Sequence, residues 1–341
     1  MERRLNLEDI GRLAGVSRST ASRVVNGEPN VSDQVVRRVR QVISETGYQP
    51  HAAARSLASN RTGVIGLVIP GAVQTLFDDP YFGRLILGVT GATNSLGTTL
   101  AFFLFGTDAD EESITTRVVN SGLVDGVIVT ASVMGDPLIS DLRSAKMPFV
   151  VVGRPDSAGA PFSVDVDNRG GAYAAASYLA QLGHERIGMI TPPSNTTAGV
   201  DRRGGFLDAI ADAGLSVDGR IEEGQWSEES GRAAMERLLL SSPDAVFVAS
   251  DRMAIGALRA IRDAGLRCPE DIAVVSFDGL LSGDQTDPRL TSVRQSVTEV
   301  GDRAARLLHS VIDGTVSTPE HVVYPTEMIV RESCGAAGSH T

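Results

Sequence analysis

The stretch Leu7–Gly27, LEDIGRLAGVSRSTASRVVNG, decides how the front of this chain is read. Its first apolar residues, Ile10, Leu13 and Ala14, fall at the i, i+3, i+4 spacing of one helical face. Asn6 stands where a helix from Leu7 needs a cap, and Asp9 sits in that helix's first turn. Gly15 supplies the left-handed residue that ends it. Ser17 then caps a second helix, with Ala21, Val24 and Val25 on its apolar face and Gly27 and Pro29 as its stop. Ser32 caps a third, whose stripe is Val35, Val36, Val39, Val42 and Ile43, closed by Gly47. Helix, tight turn, helix and supporting helix make the helix-turn-helix layout.

In that layout the second helix lies in the major groove and its first residues meet base edges. Those residues are Arg18, Ser19 and Thr20, with Ser22 and Arg23 one turn on. An arginine can fork onto guanine O6 and N7, and hydroxyls suit bases or phosphates. The plainer reading is a small helical cap with surface arginines. The coincidence of turn glycine, two caps and arginine placement favours the DNA reader. Charge agrees. Residues 1–61 hold ten arginines, no lysine and six acids, net +4, so the rest carries −15 of the chain's net −11. A basic head on an acidic body suits a polyanion partner for the head alone.

Residues 50–62, PHAAARSLASNRT, have few large apolar groups and read as a linker with some helical propensity. A helix that short is marginal alone and needs something to hold it. From Val64 the pattern changes. Apolar runs such as VIGLVIP, TLAFFLF, DGVIVTA, PFVVVG, RIGMIT, AVFVAS and IAVVSFDG alternate with helical stretches, among them Tyr81–Leu96, Gly170–Leu182 and Met253–Ala264. Strands apolar on both faces, with helices between them, predict parallel sheets in α/β layers. The length and strand count predict two lobes. No apolar run is long enough to span a bilayer, and MERRLNLEDI has no apolar stretch behind its charges. The two cysteines, Cys268 and Cys334, lack metal-ligand spacing. A cytoplasmic location is expected.

Enzyme motifs are missing. No phosphate-binding G-x-x-x-x-G-K-[S/T] loop, G-x-G-x-x-G, G-x-S-x-G or H-E-x-x-H occurs, and Lys146 is the only lysine. His51, His184, His309, His321 and His340 are scattered. No enzyme, no cofactor and no metal is expected.

LEDIGRLAGVSRSTASRVVNGEPNVS closely resembles the N-terminal signature of the lac repressor/gal repressor family of bacterial transcription regulators. The likeness continues through GYQPHAAARSLAS, DNRGGAYAAASYLAQLGHERIGMI, RRGGFLDAI, VASDRMAIGALRAIRDAGLRCPEDIAVVSFDG and PRLTSVRQ, so it spans essentially the whole chain. It implies a three-helix head at 1–49, a hinge helix at 50–61, an effector-binding and dimerisation body at 62–335 and a tail at 336–341. Within the body it implies an N-lobe of about 62–163 plus 292–322 and a C-lobe of about 164–291 plus 323–335.

The resemblance also implies roles. Arg18 and Ser19 fall on the two positions that choose the operator. Ser17, Thr20, Ser22, Arg23 and Asn26 match positions that touch bases or phosphates. Leu57, flanked by Ala54 and Arg55, matches a leucine that wedges into the minor groove. Val35 and Val36 depart from the family's Thr-Arg, so a phosphate contact there is either lost or taken over by Arg37 or Arg38. In the body, Phe82, Arg202, Trp226, Asp251 and Asp278 match cleft positions at strand ends. An aromatic face, an arginine fork and carboxylates suit a polyhydroxylated ring. A purine corepressor is the rival ligand, and a helix cap the rival role for Asp251. Ser250 stands where many members have Asn. Arg154 either lines the cleft or bridges to the hinge. The expected function is a repressor of sugar-utilisation genes, a homodimer on palindromic operator DNA under control of a small effector. A solute-binding protein or a cleft enzyme are the weaker alternatives.

Overall fold

A computed structural model describes residues 5–25, 29, 31–48, 61–72, 77–105, 118–119, 121–130, 133–156, 162–280 and 285–336. The chain divides into two compact units, Met1–Gly63 and Val64–Thr341.

The first unit contains α1 (Leu7–Leu13), α2 (Arg18–Val25) and α3 (Asp33–Thr46). Asn6 and Asp9 form a reciprocal cap: the Asn6 side chain accepts from the Glu8 and Asp9 amides at 2.9 and 3.0 Å, and Asp9 accepts from the Asn6 amide at 3.1 Å. Gly15 takes φ 64° in the turn, a conformation that costs a side chain strain. The Ser17 hydroxyl accepts from the Thr20 amide at 3.1 Å and so caps α2. Gly47 ends α3 in the left-handed region. Ile10, Ala14, Ala21, Val24, Val39 and Tyr48 are buried together, with Val35 and Val36 packed against them. The two valines that depart from the family pattern therefore serve the core.

The second unit is two α/β lobes. The N-lobe holds β1 (Val64–Ala72), α4 (Pro80–Leu96), β2 (Thr99–Phe105), β3 (Gly126–Thr130), α5 (Pro137–Ser144), β4 (Phe149–Val152) and β5 (Phe162–Val166). The C-lobe holds α6 (Asn168–Gln181), β6 (Ile187–Thr191), α7 (Thr197–Asp212), β7 (Ile221–Glu223), α8 (Glu228–Leu238), β8 (Ala245–Val248), α9 (Asp251–Asp263), β9 (Ala273–Asp278) and β10 (Thr291–Arg294). The chain returns to the N-lobe for α10 (Val297–Ile312) and β11 (Glu320–Tyr324), and ends in the C-lobe with β12 (Glu327–Ile329).

Each lobe has a six-stranded sheet, ordered β11-β5-β4-β3-β1-β2 and β12-β10-β9-β8-β6-β7. Every pairing is parallel except β10 with β12. The central strands β3, β4, β8 and β9 are buried along their whole length, as helices on both faces require.

Three crossovers join the lobes: β5 to α6, β10 to α10, and β11 to β12. Sheet pairing ends these strands at Val166, Arg294 and Tyr324, beside the expected breaks at about 163, 291 and 322. The crossovers are tied together. The Asp167 amide donates to the Tyr324 carbonyl at 2.9 Å, and Arg294 pairs with Glu327.

Candidate functional site

The described residues expected to read DNA lie on α2 and just before it. Ser17, Arg18, Ser19 and Arg23 are exposed, while Thr20 and Ser22 are half-buried beside the core residue Ala21. The Ser17 hydroxyl lies 2.8 Å from that of Ser19 and 2.9 Å from that of Thr20, so three hydroxyls cluster at the start of α2. On α3, Arg37, Arg38 and Arg40 are exposed. Asn26, Ala54, Arg55 and Leu57 lie outside the described residues.

The body's polar centre is at the C-terminal ends of the strands, beside the crossovers. Arg202, on α7, is 4% exposed. Its Nε donates to Asn168 Oδ1 at 2.9 Å, and its Nη1 donates to the Ala249 carbonyl at 2.6 Å and to Asp278 Oδ1 at 3.2 Å. Its guanidinium carbon stacks 3.7 Å from the Phe277 ring centroid and lies 5.6 Å from that of Trp226. Among the described residues its Nη2 makes no hydrogen bond.

Asp278 ends β9 with φ at 110°, and Trp226 has φ 59° just before the cap of α8. Strain of this kind persists only where surrounding structure over-determines it, and it concentrates at binding sites. Asp278 also accepts from Gln295 Nε2 at 2.7 Å and from the Asp251 amide at 3.3 Å. Burial lifts its carboxyl to about 7, against the opposing pull of Arg202. The Asp165 carboxyl at the end of β5 is lifted to about 6, again mainly by burial. Asn168 connects the two, donating to Asp165 Oδ1 at 3.0 Å while accepting from Arg202.

The five cleft residues chosen from sequence have different surroundings. Arg202, Asp278 and Trp226 come together. Asp251 is buried beside them, but its carboxylate is already engaged: Oδ1 accepts from Ser276 and Ser292 hydroxyls at 2.6 and 2.8 Å, and Oδ2 from the Leu280 amide at 2.8 Å. It locks β9, β10 and the loop after β9. The helix cap there is Ser250, whose hydroxyl accepts from the Met253 amide at 3.2 Å. Phe82 is packed in the N-lobe core, 6% exposed, edge-on to Tyr81 at 5.4 Å. Burial raises the phenol of Tyr81, and the Asp165 carboxyl adds to the rise. Sequence reasoning passed over Tyr81, although its place beside Phe82 after the Asp79 cap was a signal. It also missed Thr130, whose hydroxyl at the end of β3 is buried without a hydrogen-bond partner among the described residues. Such a group has an unmet bond that a ligand hydroxyl can supply.

Among the described residues, no group of three or more His, Cys, Asp or Glu could hold a metal ion. No helix among them is long and apolar enough to cross a membrane.

A helix-turn-helix head and a two-lobed α/β body with a polar centre beside the crossovers define a DNA-binding transcriptional regulator. Comparison with known proteins agrees. Residues 6–51 match the profile of the bacterial regulatory proteins, lacI family, and residues 176–334 match a periplasmic binding protein-like domain. The chain is 38% identical over 338 residues to the HTH-type transcriptional regulator CelR of Thermobifida fusca, covering 97% of this chain and 98% of that one. It is 36% identical to the HTH-type transcriptional regulator AglR of Rhizobium meliloti (strain 1021), covering 98% and 95%. The solved complex of CelR with cellobiose superposes with a TM-score of 0.76 at 36% identity, covering 97% of this chain and all of that one. The chain belongs to the lacI family. Its relatives are transcriptional regulators rather than enzymes, and it is one as well.

Proposed function

We propose that the protein is a repressor of sugar-utilisation genes whose effector is a sugar bound between the lobes at Arg202, Asp278 and Trp226. The observation that carries this reading is the centre itself. A stacked, buried arginine with an uncommitted Nη2 faces a carboxylate that still has accepting capacity, next to the chain's only tryptophan. Fixed donors and acceptors around aromatic faces suit a polyhydroxylated ring. The likeness to a regulator solved with cellobiose supports the same ligand class.

The head and hinge, 1–49 and 50–61, bind palindromic operator DNA as a homodimer, since two heads related by a two-fold axis match two half-sites. Arg18 and Ser19 select the bases, and Leu57 is the minor-groove wedge. Phe82 shapes the pocket from behind Tyr81, and Asp251 holds Asp278 in place. Closing the cleft on effector reorients the N-lobes, and this changes whether paired hinge helices fit DNA.

Titration calorimetry with cellobiose and a panel of mono- and disaccharides tests the effector site, read in parallel by Trp226 fluorescence. A saturable response abolished by Arg202→Ala is expected. Silence across the panel, with a purine bound instead, would replace the sugar reading.

A further inference from the structure

The lobes meet at a second place besides the three crossovers. Gly153, at φ 109°, turns the chain after β4 and presents Arg154. Arg154 reaches into the C-lobe and grips Asp201 with both edges of its fork, Nε to Oδ2 at 2.8 Å and Nη2 to Oδ1 at 3.0 Å. Asp201 lies on α7 immediately before Arg202. Beside this pair, Val133, in the loop after β3, forms an isolated antiparallel bridge with Thr196. The Met134 amide donates to the Asn195 carbonyl at 2.7 Å. The Gly135 amide donates to Asp156 Oδ2 at 2.5 Å, which joins the two N-lobe loops into one rim.

We infer that Arg154 and Asp201 are positioning residues that latch the cleft shut and thereby set its effector affinity without touching the effector. The physical argument is geometric. The two residues sit on different lobes, so their bidentate contact exists only when the lobes are closed. Any contact made only in the closed form raises its population, and apparent affinity rises in proportion to the competent fraction. The Asp201 side chain is only 18% exposed, against 46% for Arg154, so the pair is shielded from water on one side. Planar two-bond pairing is the geometry in which an arginine–carboxylate contact outperforms an ordinary surface pair. α7 thus carries neighbouring residues with separate tasks: Arg202 belongs to the binding centre and Asp201 holds the door.

The latch rests on the reading of the cleft as the effector site, and two measurements on the full chain separate them. In the first, cellobiose is titrated into wild type, Arg154→Gln, Asp201→Asn and the double variant. Each single change weakens binding by about two- to fivefold, the range of a favourable exposed pair. The double variant is no weaker than the singles, because one contact is lost once. Equal affinity in all four proteins overturns the latch. Additive losses overturn it too, because they mean that each residue meets the sugar independently.

The second measurement needs no ligand. Hydrogen exchange of the free protein reads the segment containing the Met134 amide. Asp201→Asn speeds its exchange while the buried strands β8 and β9 stay protected. Unchanged exchange at Met134 overturns the latch even if cellobiose binds. Silence of wild type towards cellobiose and the whole sugar panel, with faster exchange in the variant, sinks the sugar reading and leaves the latch standing.

Discussion

Asp278 shows how much one residue carries here. It ends a strand with its backbone at φ 110° and its carboxylate between Arg202, Gln295 and the Asp251 amide. Its folded carboxyl titrates near 7, whereas the unfolded one titrates near about 4. A carboxyl raised on folding binds more protons in the folded state, so its stabilising share is complete below the unfolded value and is lost as pH rises towards the folded one. Between about pH 4 and 7, wild type therefore loses stability relative to Asp278→Asn, and urea unfolding across that window measures the difference. Parallel stability curves for the two proteins would contradict the assignment. On the head, Arg18→Ala relaxes base preference at one half-site position and costs about 1–3 kcal/mol on the preferred operator. Binding across operators substituted base by base checks this.

At the same scale, Arg202, Asp278 and Trp226 were singled out by the family resemblance, and the fold brings the three together. Phe82 and Tyr81 were not separable. Adjacent aromatics on a helix face differ by one step of rotation, and the Asp79 cap with Pro80 at the first turn sets which one meets the core. Asp251 looked like its neighbour in sequence, yet two serine hydroxyls and an amide occupy it in space.

The elements follow local rules closely. Asn6 and Asp9 close the start of α1, so Asn6→Ala costs the head about 1 kcal/mol in thermal or urea unfolding. The helix pairs of the body pack closer than side chains allow. A Cβ on Gly88 of α4 would lie 2.0 Å from the Thr298 carbonyl of α10, and one on Gly256 of α9 would lie 1.8 Å from the Glu228 carbonyl of α8. Gly88→Ala must push two backbones apart and destabilises the body by about 1–3 kcal/mol, as overpacking does. An unchanged midpoint in urea would show that the helices can part freely. Central strands were legible as continuous apolar runs. The edge strand β11, EHVVY, alternates between half-buried and exposed and carries two polar residues, and β12 has three residues with none fully buried. Neither carries a continuous apolar run, whereas the edge strand β2, TLAFFLF, does.

The whole molecule divides its charge as well as its labour. The head is net positive and the rest carries −15, so DNA affinity resides in the first unit and falls steeply with salt. A chain beginning at Gly63 is expected to lose specific DNA binding while keeping its response to sugar, checked by anisotropy with labelled operator and by Trp226 fluorescence. Retained operator binding would move the DNA contact out of the head. In the body, the polar centre leans on two of the three crossovers. Arg202 holds Asn168 at the first, and Asp278 holds Gln295 at the second. A ligand that engages Arg202 and Asp278 therefore acts on the groups that set lobe orientation, which is the differential contact an allosteric change requires.

By itself the sequence determined the helix-turn-helix, the alternation of strand and helix and the two-lobed plan. These follow from spacing, caps and turn glycines, which act over a few residues. Tertiary structure alone decided that Phe82 packs in the N-lobe core, that Asp251 is already engaged, and that Arg154 meets Asp201 across 47 positions. Those outcomes depend on groups brought together by folding, in surroundings dry enough to lift a carboxylate to about 7, and no local pattern encodes such an environment.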